Sequence, residues 1–194
     1  MADPYSPLTS VMTPGSYGGQ TNSTLVDLQE KPVGGLVQVA GWEGFDSLIG
    51  QVLGLAHPLS FHTAQEAKGC TIFKIAPARV MIQHDDPDQL ARLTTSLSPE
   101  QAGVVALENA RCRLHLSGAE VEAVLQRVAA LDFSRAEFPV GEFRQSGIHH
   151  VAVMFHRTSD QGFDLFVPTT WAMSVFDYLR DAAWNFGLTI SSPA

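Results

Sequence analysis

Seven histidines, at positions 57, 62, 84, 115, 149, 150 and 156, are the side chains of this sequence best suited to move protons or ligate metal near neutral pH. A metal centre needs three or four converging ligands with supporting hydrogen bonds behind them. The histidine spacings match no zinc pattern, and Cys70 and Cys112 stand far from most of them in sequence. On a strand over 147–157, His150 and His156 share one face and His149 points away. His84 with Asp85 and Asp86 reads as a strand end followed by a helix cap. Among the carboxylates, Asp85, Asp86 and Asp88 fall in a first helical turn, where negative charge complements the helix dipole. Asp164 lies between Phe163 and Leu165 on a strand; burial there would mark it out, and an outward position on a half-exposed strand explains it equally well. No G-x-S-x-G elbow, phosphate loop, H-E-x-x-H pair or G-x-G-x-x-G fingerprint occurs. Gly15, Gly18, Gly19, Gly34 and Gly35 open no helix and read as turns. The residues therefore nominate no catalytic, no cofactor-binding and no metal-binding position on this chain.

The bulk properties narrow the classes further. Hydrophobic residues make up 45% of the 194 and charged ones 16%, with a mean hydropathy of +0.05. That charge fraction lies below the ~25% of ordinary soluble domains, as for a chain that covers part of its surface with a partner. A compact, weakly charged monomer has the same composition. Net charge is 12 − 20 = −8, and all three lysines (Lys31, Lys68, Lys74) lie in the first half with no basic run. Phosphate binding needs clustered cations, so nucleic acid is excluded as a partner. Two cysteines without a CxxC suit a reducing cytosol, although a single disulfide fits the count. No signal-peptide pattern and no apolar run of ~20 residues is visible, so a cytoplasmic protein without a membrane partner is expected.

The elements that would position these residues follow from periodicity. Residues 1–32, rich in proline, glycine and hydroxyl residues, read as an extended N-terminal arm with Tyr5, Leu8, Val11, Met12 and Tyr17 as anchors on a partner. A plain disordered tail is the other reading. Residues 33–108 read as strand (33–41), helix (Phe45 to Ala56, stopped by Pro58), strands 69–76 and 79–84, helix from the cap Asp86 with Pro87, and strand 103–107. Residues 109–194 repeat that order. Strand 113–116 leads to Ser117 and Glu120 as a capping box, then a helix with Val121, Val124, Leu125 and Val128 inward. Strands 147–157 and 162–167 follow, then a helix capped by Thr169 or Thr170 with Trp171, Val175, Leu179, Ala182 and Phe186 inward, then a short strand 188–190. The expected fold is α+β: two consecutive ferredoxin-like split β-α-β units with mostly antiparallel sheets, helices on one face of each, plus the extended N-terminal arm.

Within 111–187 the order Arg111-x-x-Leu114-x-Leu116-Ser117-Gly118-Ala119, Phe138-Pro139-x-Gly141, a hairpin carrying His156-Arg157 and Phe163-Asp164-Leu165-x-Val167-Pro168, then Trp171, Tyr178-Leu179 and Phe186-Gly187 resembles the gamma subunit of heterotetrameric sarcosine oxidase. That family shares the folate-binding, aminomethyltransferase-like fold. The motif consists of fold-forming residues, so it points to a family more than to a chemistry. The resemblance implies a non-catalytic subunit, with a role in assembly and support, of a flavoenzyme complex with alpha, beta and delta subunits. Such complexes demethylate sarcosine or a related N-methyl amino acid and pass the one-carbon unit to tetrahydrofolate. FAD, FMN, NAD and tetrahydrofolate would sit on the partner subunits, and zinc on the small one. A gamma-type subunit of N-methylglutamate dehydrogenase, a stand-alone aminomethyltransferase-like protein and a free small-molecule binding module are the rival readings.

Overall fold

In a computed structural model that describes residues 6–19 and 25–192, the chain divides into two compact units, 1–32 with 110–194 and 33–109. The N-terminal segment supplies β1 (Gly15–Tyr17) and β2 (Val26–Lys31). The inserted unit runs β3 (Gly35–Gly41), α1 (Phe45–Leu53), β4 (Gln65–Ala67), β5 (Cys70–Ala76), β6 (Arg79–His84), α2 (Pro87–Thr94) and β7 (Ala102–Ala106). The chain then forms β8 (Arg111–Ser117), α3 (Val121–Val128), β9 (Phe143–Ile148), β10 (Val151–Ser159), β11 (Gly162–Pro168), α4 (Ala172–Ala183) and β12 (Leu188–Ile190).

The inserted unit is a five-stranded antiparallel sheet in the order β4-β5-β6-β3-β7. Without the edge strand β4, this is the split β-α-β arrangement, with β6 between β5 and β3. Val37 and Val39 of β3 and Cys70, Ile72, Val80 and Ile82 of β5 and β6 alternate onto one core with Phe45, Ile49, Leu53 and Leu90 of the helices. Asp86 caps α2 by accepting from the backbone N–H groups of Asp88 and Gln89, with Pro87 at the first helical position, as the sequence predicts. Helix α1 ends at Leu53, well before Pro58, because Gly54 takes a left-handed conformation at its C-terminus (φ 67°).

The other unit is a seven-stranded sheet in the order β1-β12-β2-β8-β11-β10-β9. It repeats the split β-α-β plan with two changes, of which one is the outer strand β1 beside β12. Strand β2 inserts between β8 and β12, antiparallel to the first and parallel to the second. Cys112, Leu114 and Leu116 of β8 and Phe163, Leu165 and Val167 of β11 join one core with Val121, Val124, Leu125 and Val128 of α3. Both units are thus α+β with helices on one sheet face.

Four expectations need correction. The described residues of the N-terminal segment form a turn at Leu8–Met12 and two strands, and they are held by their own chain: Leu8 and Met12 lie in the core, and β2 lies inside the sheet. The alternation of Val26, Leu28 and Glu30 is a buried-strand period only six residues long, short enough to be lost in a polar segment. Tyr5 falls outside the described residues. Ser117 caps no helix, since it ends β8 opposite Gly162 and Asp27, and α3 starts at Val121 without a side-chain cap. The expected strand 147–157 is broken by a turn at His149 (φ 53°) and His150, which separates β9 from β10. Trp171 ends a 3-10 turn (Thr169–Trp171) and is 52% exposed. That extra turn shifts the phase, so the inner face of α4 is Ala172, Val175, Phe176, Leu179 and Ala183.

Candidate functional site

The residues that carry the resemblance meet one another. Arg157 ends the regular ladder of β10 at a register shift, and its side chain is only 1% exposed. Its guanidinium donates to the carbonyls of Phe133 (2.9 Å), Phe138 (3.1 Å) and Asp160, and to the Glu122 carboxylate of α3. It also lies 5.0 Å from the centre of the Phe163 ring. Five donors in a fixed fork match several carbonyls at once, which lysine cannot do. The backbone joins in: Gly141 N–H donates to the Arg157 carbonyl and Arg157 N–H to the Glu142 carbonyl. Phe138 packs edge-on against Phe163 at 5.6 Å, with Phe133 completing the aromatic cluster. The 130–142 loop is thereby fastened to α3 and to the β10–β11 hairpin. Gly118 serves the same scaffold: its φ is 121°, and a Cβ there would stand 2.2 Å from the Leu25 carbonyl oxygen, at the entry to β2.

On the sheet face opposite the core, one row of residues crosses four strands: Gln29 of β2, His115 of β8, Asp164 of β11 and His156 of β10. Asp164 is the centre of this row and is 1% exposed, the buried one of the two positions that the sequence leaves open. One carboxylate oxygen receives Arg113 Nε (2.9 Å) and Nη2 (2.6 Å), and the other lies 2.6 Å from His115 Nδ1. Burial alone would raise the Asp164 pKa. The hydrogen bond to His115 and the adjacent Arg113 guanidinium outweigh it, so the carboxyl stays below its ordinary range. His156 is shifted down too, but there burial is the cause. Burial pushes its pKa down to about 4, against the pull of Asp164 and with the help of Arg113, so the ring is neutral at pH 7. A carboxylate with three donors already on it is a structural acceptor, committed before any substrate arrives.

The other sequence candidates do not converge. His84 accepts the Asp86 N–H at 2.8 Å and tightens the turn into α2. His149 packs on the Tyr178 ring with centroids 3.9 Å apart. Both cysteines are free and buried, and Cys112 Sγ lies 3.5 Å from the Glu30 carboxylate; burial first, then that carboxylate, raise its pKa. Among the described residues no group of three or more His, Cys, Asp and Glu is placed to hold a metal. No described helix is long and apolar enough to cross a membrane. An open recess of about 240 Å³ beside the first turn of α1, lined by Trp42, Asp46, Ser47 and Pro77, lies below the ~300–1,000 Å³ of small-molecule sites. It does not fit a flavin or a folate. The sequence reading missed the Asp164 network because its partners, Arg113 and His115, lie about fifty positions away; the alternation of β8 and β11 puts them on one face only once the strands are paired.

Comparison with known proteins places this scaffold. The chain aligns with a chain of the heterotetrameric sarcosine oxidase from Corynebacterium sp. U-96 at a TM-score of 0.80, with 20% identity over 94% of this chain and 95% of that one. It aligns with glycine cleavage system aminomethyltransferase T from Bartonella henselae at 0.63, with 17% identity over 88% of this chain and 48% of that one, so it spans about half of the transferase. No curated protein matches the sequence. The GCVT N-terminal domain family matches residues 64–192, well over half the length, and takes in the Arg157 clamp and, of the Asp164 row, His115, Asp164 and His156; the chain belongs to that family.

Proposed function

We propose that this chain is a non-catalytic, gamma-type subunit of a heterotetrameric flavoenzyme complex of the sarcosine oxidase kind. The complex removes the N-methyl group of sarcosine or a related N-methyl amino acid and passes the one-carbon unit to tetrahydrofolate in the cytoplasm. Alpha, beta and delta subunits are its partners; FAD, FMN, NAD and tetrahydrofolate belong to them, and zinc to the small subunit. This chain contributes assembly and support, with no catalytic, cofactor-binding or metal-binding residue of its own.

The observation that carries this reading is the two-way coverage. The chain matches one sarcosine oxidase chain almost end to end, but only about half of the aminomethyltransferase. Two further features agree with it. The Asp164 carboxylate on the sheet is already held by Arg113 and His115, as suits a structural acceptor. All three tryptophans, Trp42, Trp171 and Trp184, are exposed, and tryptophan is the residue type most enriched at binding hot spots. The test is direct: the purified chain should be colourless, should not turn over sarcosine, and should show no heat of binding with tetrahydrofolate. Transfer of a one-carbon unit by the chain alone would replace this reading with the stand-alone transferase.

A further inference from the structure

Exposed large apolar side chains gather on one helix. Among the described residues, Trp171, Met173, Tyr178 and Trp184 all lie on α4 or in the 3-10 turns at its two ends, and all are exposed. At about 100° per residue, Trp171 and Tyr178 fall on one flank of the outer face and Met173 and Trp184 on the other. Ser174, Asp177 and Asp181 form the ridge between these flanks. Two of the aromatic rings are already held. Tyr178 packs on His149 with centroids 3.9 Å apart, and Trp184 tilts against Tyr17 at 6.3 Å. An ordered aromatic side chain loses little entropy when a partner covers it.

The charges on the ridge do not serve the helix. No acidic residue stands in the first turn of α4, where it would complement the dipole, and Asp181 stands in the last turn, where it opposes it. Asp177 and Asp181 are four residues apart, a like-charge spacing that also destabilises a helix. Arg180 pairs with both, at 2.9 Å and 3.1 Å, so two carboxylates share one guanidinium and one negative charge is left over. The other nearby cation, Arg127, donates to the Ala182 carbonyl and lies over the Phe186 ring. The two aspartate side chains are 50% and 69% exposed. Local choices that cost an element stability, with no gain inside the chain, are expected at surfaces with a function.

We propose that the outer face of α4 is the docking surface for the flavoprotein partner, and that it receives a basic segment of that subunit. An arginine or lysine would sit against Asp177 and Asp181, with apolar side chains on the two flanks. The assignment rests on the flavoenzyme reading, from which it takes the partner. Charge selects the occupant. A second copy presenting the same face would set acid against acid, in a chain of net charge −8. The stretches of this sequence outside the described residues, 1–5, 20–24 and 193–194, hold no lysine or arginine. The cation therefore comes from a different protein, where it can stack on an exposed aromatic face as well as pair with aspartate.

The test titrates the tagged full chain with the flavin-containing fraction of its native cells, taken from a strain lacking this chain's gene, and reads the flavin absorbance retained. Retention by the wild type should weaken steadily between roughly 50 and 500 mM salt, as it does for an interface across opposite charges. Asp181→Lys should weaken retention about tenfold or more, and added salt should no longer weaken it further. The melting point of the free Asp181→Lys chain should stay level or rise, because a cation there suits the dipole. Trp171→Ala should weaken retention as well, whereas Trp42→Ala, on the inserted unit, should not. An Asp181→Lys chain that binds like the wild type, or that loses binding only together with its fold, overturns the docking surface and leaves the flavoenzyme reading standing. A Trp42→Ala chain that loses more retention than Trp171→Ala does the same. A wild-type chain that retains no flavin at any salt concentration overturns the flavoenzyme reading itself, and this assignment with it.

Discussion

Replacing Arg157 with methionine tests the scaffold at its most connected side chain. Methionine keeps an apolar stem against Phe163 but removes every donor of the fork. Two carbonyls bonded in the interior, of Phe133 and Phe138, then lose this partner. A buried acceptor left unsatisfied costs about 1–3 kcal/mol, and removing one member of a buried ionic pair costs about 3–5 kcal/mol. The Glu122 side chain is 35% exposed and can return to water, so the two carbonyls, about 2–6 kcal/mol together, carry most of the cost. We expect Arg157→Met to destabilise the unit by roughly 3–5 kcal/mol. At about 2–4 °C per kcal/mol for a chain of this size, its melting point should fall by roughly 6–20 °C. Glu122→Gln removes only the solvent-screened part and should cost no more than about 1 kcal/mol. The assay is urea and thermal denaturation followed by far-UV circular dichroism, since the exposed tryptophans make fluorescence a poor reporter. If Arg157→Met cost less than about 1 kcal/mol, or no more than Glu122→Gln, the clamp would not be what holds the 130–142 loop.

Three other outcomes are expected. Leu125→Ala, at a fully buried position of α3, should cost about 2–5 kcal/mol, whereas Trp171→Ala should cost under about 1 kcal/mol; equal effects would restore Trp171 to the core. Deleting residues 1–19 removes the buried side chains of Leu8 and Met12, each contributing about 1.5–3 kcal/mol, and unpairs β12 from β1, so marked destabilisation should appear in denaturant; an unchanged midpoint would mean the segment is not part of the core. Because the folded pKa of His156 is depressed from 6.5 to about 4, the unfolded chain binds the extra proton first, so stability should fall as pH drops from 6.5 to 4, by about 3 kcal/mol at most. Asp164, also depressed, adds to the loss at still lower pH, and His156→Gln should flatten the upper part of this profile.

The legibility of this chain in its sequence followed the range of the interactions concerned. Strands β5 and β6 and the Asp86-Pro87 start of α2 were readable because each is specified within a few residues, by an apolar run or by a cap. The α3 stripe of Val121, Val124, Leu125 and Val128 was readable for the same reason. What depended on distant strands was not. The place of β2 between β8 and β12 follows from pairings more than eighty residues away, and nothing in Val26–Lys31 itself announces it. The break at His149 and His150 lies in a run that looks like continuous strand, because no glycine or proline marks the turn. Trp171 looked like a core residue by type and spacing, and a single 3-10 turn moved it to the surface. The Asp164 network needed strand pairing before its three members could be joined.

The central claim is that this chain supports a flavoenzyme assembled around it rather than acting alone. The most direct measurement is to express the chain with an affinity tag in its native cells, purify it gently, and follow flavin absorbance and sarcosine-dependent electron transfer through gel filtration. The account predicts that both co-elute with the tagged chain as a large complex, and that both separate from it once the chain is dissociated. A tagged chain that elutes free of flavin, while carrying folate-dependent one-carbon transfer by itself, would contradict it.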